Sequence, residues 1–214
     1  MKRKCWFNYL YFAIEFFSNV TRLQLSYIHE VKRLNFTRGN KFMIEIRKAI
    51  VEDAQGIRKV CSDGYRYTYP ELLPQHQIEK VIQEFYNAER IKDEVVTISK
   101  EWNGWFVAVD TGEVVGAGGG GFIEDETAEL FVIYLDPTRK REGIGSRLLG
   151  AITKDQIERG AKEQWVSVTK GNDMGIPFYE AVGFEYQTEC PAYDMPEEEG
   201  YKSLRYKREL KKRM

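Results

Sequence analysis

The chain shows a succession of hydrophobic patterns with two different periods. Between residues 43 and 210, apolar residues that alternate with polar ones predict strands, and apolar residues three or four positions apart, as at Ile57, Val60 and Cys61, predict helices. In chain order the predictions are a strand over 44–48, a helix opening at 52–53, a loop over 64–74, a helix over 75–90, strands over 105–109, 113–115 and 130–135, a helix over 146–157, a strand over 165–168, a helix over 177–182 and a strand over 203–210. This order predicts one α+β domain over residues 43–214, with three consecutive strands in an antiparallel meander.

Residues 1–42 differ in composition from the rest of the chain. They carry a net charge of +6, against −7 for residues 43–214, and they contain ten of the 29 aromatic residues but one of the 18 glycines. Three hypotheses are open for this basic, aromatic-rich extension: a signal peptide, an amphipathic surface helix, or a translated leader before a true start at Met43. Asn8 and Glu15 interrupt the apolar stretch that a signal peptide needs, and no signal-cleavage pattern follows it. We favour the last hypothesis, because Met43 opens a clean strand pattern.

Composition and charge exclude several classes of protein. The 214 residues are 43% hydrophobic and 30% charged with a net charge of −1, which excludes a disordered chain. The apolar runs are too short for a membrane-spanning helix, and the negative charge of residues 43–214 does not favour a nucleic-acid partner. Because Cys5, Cys61 and Cys190 lie far apart and there are only two histidines, we expect no metal site and a reducing, cytoplasmic location.

A candidate anion-binding loop lies between the strand that ends at Leu135 and the next predicted helix. Its sequence is Lys140-Arg141-Glu142-Gly143-Ile144-Gly145-Ser146, and Arg139 and Arg147 flank it with further positive charges. The two glycines let backbone N–H groups approach a pyrophosphate, and the helix start adds about half a positive charge. The loop lacks the Gly-Lys-Ser/Thr ending of a P-loop and the third glycine of a dinucleotide fingerprint, so it predicts neither.

Two segments together resemble motifs of the GNAT superfamily of acetyl-CoA-dependent N-acetyltransferases. Residues 135–137 (Leu-Asp-Pro) and 140–149 are similar to the family's Q/R-x-x-G-x-G/A loop and following helix, with Lys140 in place of the usual Gln or Arg. Asn172 and residues 178–184 are similar to the family's N-x-x-A-x-x-F-Y-E-x-x-G-F segment, with Gly175 in place of Ala. The resemblance covers about residues 44–210.

The resemblance implies a fold and a set of acetyl-CoA contacts. The fold is a mixed, mainly antiparallel sheet flanked by helices, which splays open after the fourth strand to admit the pantetheine arm. The implied acetyl-CoA-binding residues are Ile133, Tyr134, Leu135, Lys140, Arg141, Glu142, Gly143, Ile144, Gly145, Ser146 and Asn172. Asn172 is also a favoured helix N-cap, so both roles are open for it.

The resemblance also implies a reaction and two candidate catalytic residues. A neutral amine attacks acetyl-CoA directly, and the coenzyme A thiolate leaves without a covalent enzyme intermediate. Tyr179 is the candidate general acid that protonates the thiolate, and the alternative is aromatic packing. Glu129, eleven residues before Lys140, is the candidate general base by similarity to the histone-acetyltransferase branch. The alternative is a solvated acid at a strand edge, with a chain of water molecules as the base.

The sequence does not identify the acceptor, which is either an amine of a small molecule or an amine of a peptide or protein. The family's acceptor site usually lies under the segment after the first strand, where Tyr65, Tyr67 and Tyr69 form either a cation-holding wall or half-buried packing. The glycine run 118–121 is interpreted as a strand with a bulge or a close backbone approach beside that cleft.

We expect a monomer or homodimer. A regulatory acetyl-CoA-binding module without turnover and a toxin-like enzyme acting on aminoacyl-tRNA are the alternatives.

Overall fold

The computed structural model describes residues 44–192 and 200–211, so the hypotheses on residues 1–42 lie outside the described residues. The helices and strands, in chain order, are β1 (Glu45–Lys48), α1 (Ala54–Thr68) directly after a 3-10 turn over Val51–Asp53, α2 (Gln75–Phe85), α3 (Ala88–Val96), β2 (Trp105–Asp110), β3 (Glu113–Phe122), β4 (Thr127–Leu135), α4 (Ile144–Glu158), β5 (Glu163–Thr169), α5 (Gly175–Ala181), β6 (Glu185–Pro191) and β7 (Lys202–Glu209). Each predicted strand and helix is present with the predicted type, and three segments differ from the prediction.

The strands in the described part of the chain form one seven-stranded sheet in the order β1-β2-β3-β4-β5-β7-β6. Its neighbouring strands are antiparallel except for β4 and β5, which are parallel. These two strands pair only over residues 127–130 and 163–166, whereas β4 continues to pair with β3 as far as Leu135. The sheet therefore opens between β4 and β5 beyond Leu130, which confirms the mainly antiparallel sheet that splays after its fourth strand.

Helices cover both faces of this sheet, and each helix buries one apolar face. On one side, Ile57 of α1, Ile78 of α2 and Ile91 of α3 belong to a single buried cluster that also includes residues of β2 and β3. On the other side, Leu148 of α4 packs in a second cluster with Val166 of β5. Because the two layers hold the sheet from both sides, the opening between β4 and β5 lies between packed helices and not at a free edge.

Helix α1 extends five residues into the predicted loop over 64–74. Ile57, Cys61 and Tyr65 recur every four residues, and all three are buried, so the helical face continues past Gly64. The helix ends at Thr68, two residues before Pro70, which disfavours helical backbone in the residue that precedes it. The predicted helix end is too early, because Gly64 resembles a loop signal in the sequence but is a packed helical residue in the fold.

The predicted helix over 75–90 is two helices, α2 and α3. Asn87 separates them: its side-chain oxygen accepts a hydrogen bond from the Arg90 N–H at 2.9 Å and caps the start of α3. Its amide nitrogen donates to the carbonyls of Gln83 and Glu84 at the end of α2. One asparagine thus satisfies the ends of both helices, and the apolar periodicity alone does not reveal the break.

Strand β6 was not predicted. Its sequence, residues 185–191, is Glu-Tyr-Gln-Thr-Glu-Cys-Pro, and six of these seven residues are exposed. The strand pairs on one side with β7 and is the last strand of the sheet. An edge strand without a buried face has no alternation of apolar and polar residues, so its pattern resembles that of a loop.

The glycine run 118–121 forms part of β3, and the register with β4 shifts between Gly119 and Gly120, as predicted for a bulge. The close approach comes from the segment just before β2, not from a cleft. A Cβ at Gly121 would lie 1.9 Å from the carbonyl oxygen of Glu101, and one at Gly119 would lie 2.4 Å from the Trp102 ring. The run is therefore required by backbone and ring atoms of the segment that packs on β3 just before β2.

We expect Gly121→Ala to lower the free energy of unfolding by about 1–3 kcal/mol, because the added methyl group would overlap a backbone oxygen that cannot rotate away. Urea denaturation measures this change. Gly150→Ala on α4 is the matched control, since nothing lies within 4 Å of a Cβ there and alanine favours a helix. Equal stability of the two variants would contradict the proposed overlap.

Candidate active site

A cavity of about 540 Å³ lies at the opening between β4 and β5. We call it the central cavity. Its lining comes from the end of α1 (Gly64, Tyr67, Thr68 and Tyr69), from β4 and the loop after it (residues 131–137 and 139–146), from β5 (residues 166–168), and from α5 and the residues before it (Asn172, Met174, Gly175, Phe178 and Tyr179). All the predicted acetyl-CoA-binding residues and Tyr179 line it, and Glu129 does not.

The start of α4 presents backbone N–H groups to the central cavity. Gly143 is the N-cap residue with a φ of 72°, and Arg141 also has a positive φ, of 62°. This left-handed backbone turns the chain sharply into the helix, and at the N-cap glycine adopts it without a Cβ penalty. The first N–H groups of a helix have no acceptor within it and carry its positive dipole end, so they can hold an anion.

The positive side chains around this loop have different partners. Arg139 binds two carboxylates, with its nitrogens 2.9 Å from Asp110 and 2.7 Å from Glu142. Arg147 donates to the Ile44 carbonyl. Lys140 instead donates to the Tyr67 hydroxyl. The sequence analysis treats Arg139, Lys140 and Arg147 alike as positive neighbours of the anion. In the fold, the charge of Arg139 is already neutralised by Asp110 and Glu142.

Tyr179 lies on α5 with its side chain at the wall of the central cavity. It is 8% exposed, and its ring packs at 5.3 Å from Phe178 and 5.7 Å from Phe184. Burial raises the pKa of its phenol, and the nearby phenol of Tyr69 raises the pKa further. Both effects keep the hydroxyl protonated, so Tyr179 can act as a hydrogen-bond or proton donor in the cavity.

Asn172 lies at the turn before α5 and is 8% exposed. Its side-chain oxygen accepts hydrogen bonds from the N–H groups of Gly175, at 2.8 Å, and Met174, at 3.2 Å. A Cβ at Gly175 would lie 2.9 Å from the Asn172 amide nitrogen, so the glycine found in place of alanine leaves room for this contact. Asn172 thus stabilises the start of α5 while it also lines the cavity.

Glu129 lies on the part of β4 that still pairs with β5, behind the opening. Its carboxylate accepts a hydrogen bond of 2.5 Å from Arg205 of β7, and the two side chains are only 11% and 14% exposed. The same Arg205 nitrogen donates to the Ser167 hydroxyl at 2.7 Å, and Ser167 lines the central cavity. Glu129 is therefore connected to the cavity through Arg205 and Ser167 and is not a solvated edge acid.

The three tyrosines at alternate positions do not form one wall, because they lie on a helix and not on a strand. Tyr65 and Tyr69, four residues apart, share a face with ring centroids 4.3 Å apart. Tyr65 packs against Tyr86 and Tyr134 in the core, whereas Tyr69 reaches the central cavity. Tyr67 is 46% exposed and lies at the cavity mouth beside Lys140.

Several lining residues were not found from the sequence. Phe131 and Val132 lie at the bulge where β4 changes its register, and Ser167 is an exposed position between two buried residues of β5. The alternation within β5 was the available signal for Ser167. The contact of Tyr67 with Lys140 joins residues 73 positions apart and has no signal in a single sequence.

Within residues 44–192 and 200–211, no three His, Cys, Asp or Glu side chains are grouped so that they could hold a metal ion. No helix in the same ranges is both long and apolar enough to cross a membrane.

Comparison with known proteins gives a consistent result. The model of the acetyltransferase (GNAT) family matches residues 65–184. A spermidine N(1)-acetyltransferase of Thermoplasma acidophilum is 29% identical over 148 residues, which cover 67% of this chain and 89% of that protein. The [ribosomal protein bS18]-alanine N-acetyltransferase of Escherichia coli is 35% identical over 63 residues, which cover 29% of this chain and 43% of that enzyme.

A similar fold is known from a solved structure. The crystal structure of an N-acetyltransferase of Thermoplasma acidophilum in complex with coenzyme A superposes with a TM-score of 0.67 at 25% identity. The match covers 78% of this chain and 99% of that chain.

Proposed function

The chain belongs to the GNAT acetyltransferase family, and we propose that it acetylates a primary amine of a small, polyamine-like molecule. Transfer of an acetyl group from acetyl-CoA to an amine follows from the family and from the relatives that share it. The acceptor class is our proposal. It depends mainly on the spermidine N(1)-acetyltransferase, because that relative is matched over 89% of its length.

The central cavity fits the long, anionic shape of acetyl-CoA. The start of α4 and Lys140 would hold the pyrophosphate, because free N–H groups and a cation converge there. The open edge of β4, with Ile133, Tyr134 and Leu135, would hold the pantetheine arm through backbone hydrogen bonds like those of an added strand. Glu142 contributes its backbone alone, since its carboxylate is bound by Arg139.

Tyr179 is proposed as the general acid. The neutral amine forms a bond from its nitrogen to the acetyl carbon, and the carbonyl electrons move to oxygen. When this intermediate collapses, the carbon–sulfur bond breaks, and the sulfur takes the proton of the Tyr179 hydroxyl. The proton lost by the amine leaves to water, from which the phenolate is reprotonated. The raised pKa of Tyr179 keeps the phenol protonated before the reaction but also makes it a weaker acid, so the support for the role is the place of Tyr179 in the wall of the central cavity.

Glu129 as the general base stays a prediction. The Glu129 carboxylate accepts a hydrogen bond from the Arg205 guanidinium, and Glu129 does not line the central cavity. These observations support a water chain as the path for the amine proton, with Glu129 paired to Arg205. The two roles predict different effects on turnover and stability.

The buried cysteine of α1 supports a cytoplasmic location. Cys61 is not part of a disulfide, and burial raises the pKa of its thiol. Free thiols persist in a reducing compartment, where a buried thiol of this kind stays protonated and unreactive.

The acceptor is tested by thiol release from acetyl-CoA by the full chain, at mildly alkaline pH, with spermidine and with a peptide that begins with alanine. We expect kcat/KM for spermidine to exceed that for the peptide by about tenfold or more, a difference of about 1.4 kcal/mol in transition-state binding. The rate without an acceptor corrects for acetyl-CoA hydrolysis. A higher kcat/KM for the peptide would contradict a polyamine-like acceptor and indicate a protein amine.

A further inference from the structure

Helix α1 packs directly against the strand that borders the central cavity. A Cβ at Gly64 would lie 2.9 Å from the Tyr134 ring, so the glycine allows the helix to rest directly on β4. Tyr67 follows three residues later and therefore emerges on the same side of the helix. This geometry brings its side chain to the mouth of the cavity, where it contributes to the lining.

Tyr67 holds the first residue of the candidate pyrophosphate loop. The Lys140 ammonium donates a hydrogen bond to the Tyr67 hydroxyl and lies 4.5 Å from the centroid of its ring. A lysine side chain at an exposed position has four rotatable bonds and samples many rotamers. The phenol restricts that freedom by two contacts at once, a hydrogen bond and a cation–π interaction.

The kind of partner distinguishes Lys140 from Arg139, its neighbour in the chain. The charge of Arg139 is balanced by Asp110 and Glu142, whereas Lys140 is held by a neutral phenol. A neutral partner orients the ammonium and leaves its full charge available to an anion. The contact thus has the properties of a support for a ligand-binding cation, and not those of a surface ion pair.

We propose that Tyr67 is a positioning residue for acetyl-CoA, which orients the Lys140 ammonium toward the pyrophosphate at the mouth of the central cavity. This inference rests on the proposed role of the loop in binding acetyl-CoA. An ammonium has three N–H donors, so Lys140 can donate to a phosphate oxygen while another N–H stays on the Tyr67 hydroxyl. Tyr67 also compensates for the departure from Gln or Arg at position 140, since it provides the orientation that a lysine lacks.

A double-mutant cycle tests this role through the dissociation constant of coenzyme A, measured by calorimetry with the full chain. We expect Tyr67→Ala to raise the constant about three- to fivefold, and Tyr67→Phe, which keeps the ring, to raise it less. In the Lys140→Met background, Tyr67→Ala should change the constant by less than about 1.5-fold, because the group it orients is absent. Tyr186→Ala, at a tyrosine that is 54% exposed on β6, is the matched control.

The cycle separates the failure of this inference from the failure of the proposed loop. If Lys140→Met leaves the affinity for coenzyme A unchanged, the role of Lys140 in the loop is wrong, and the role of Tyr67 is wrong with it. If Lys140→Met weakens binding but Tyr67→Ala does not, only the role of Tyr67 is wrong. An equal effect of Tyr67→Ala in both backgrounds would also overturn the proposal, because it would mean that Tyr67 acts by packing alone. Unchanged melting temperatures show that each variant is folded.

Discussion

Replacement of Tyr179 by phenylalanine is expected to lower kcat by about 100-fold or more while the dissociation constant of coenzyme A stays nearly unchanged. The substitution removes the proton donor but keeps the ring that packs against Phe178 and Phe184. Proton transfer from a positioned group contributes about 10²–10⁴ to turnover, which sets the size of the expected loss. Steady-state thiol release gives kcat, and calorimetry gives the affinity for coenzyme A.

The control for this variant is Tyr186→Phe, which removes the hydroxyl of an exposed tyrosine on β6. We expect that variant to keep full activity. A Tyr179→Phe enzyme with wild-type kcat would remove the phenol from the reaction and leave aromatic packing as the role of this residue. A loss of coenzyme A affinity as large as the loss in kcat would instead indicate a binding role.

The part of the site that could be predicted from the sequence lies in two short, contiguous motifs. The loop over 140–146 and the segment around Tyr179 each carry their residues within a few positions, so their chemistry is visible in one sequence. Both segments line the central cavity. The mixed sheet that splays after its fourth strand was implied by the family resemblance, because periodicity shows strands and not their neighbours.

Contacts between distant residues account for what could not be predicted. Arg205 meets Glu129 across 76 positions, and Tyr67 meets Lys140 across 73. Nothing in the sequence around Glu129 indicates Arg205 as its partner. The two residues meet because β4 and β7 lie on either side of β5 in the sheet, and this order of strands is not visible in the local pattern. The same limit applies to Gly64, which appears as a helix breaker in the sequence and as a packing contact with Tyr134 in the fold.

Replacement of Arg205 by methionine is expected to lower the free energy of unfolding by about 3–5 kcal/mol. The variant would leave the Glu129 carboxylate only 11% exposed and without the guanidinium that neutralises it. Glu129→Gln should lower the free energy of unfolding by less. The new amide oxygen can still accept a hydrogen bond from Arg205, and the substitution leaves no buried carboxylate without a partner. The double variant with both substitutions should recover part of the loss, since it leaves no buried charge unpaired. Urea denaturation of the four proteins measures these differences.

The same variants decide the role of Glu129 in turnover. If its carboxylate were the general base, Glu129→Gln would lower kcat by about 10²–10⁴ without a matching loss of stability. We expect a smaller decrease in kcat than for Tyr179→Phe, because the carboxylate is held by Arg205 and does not line the central cavity. Ser167 links this ion pair to the cavity wall, so Arg205→Met should also raise KM for the amine, as the wall loses its support. A fully stable Glu129→Gln enzyme that has lost turnover would restore Glu129 as the base and make Arg205 its positioning residue.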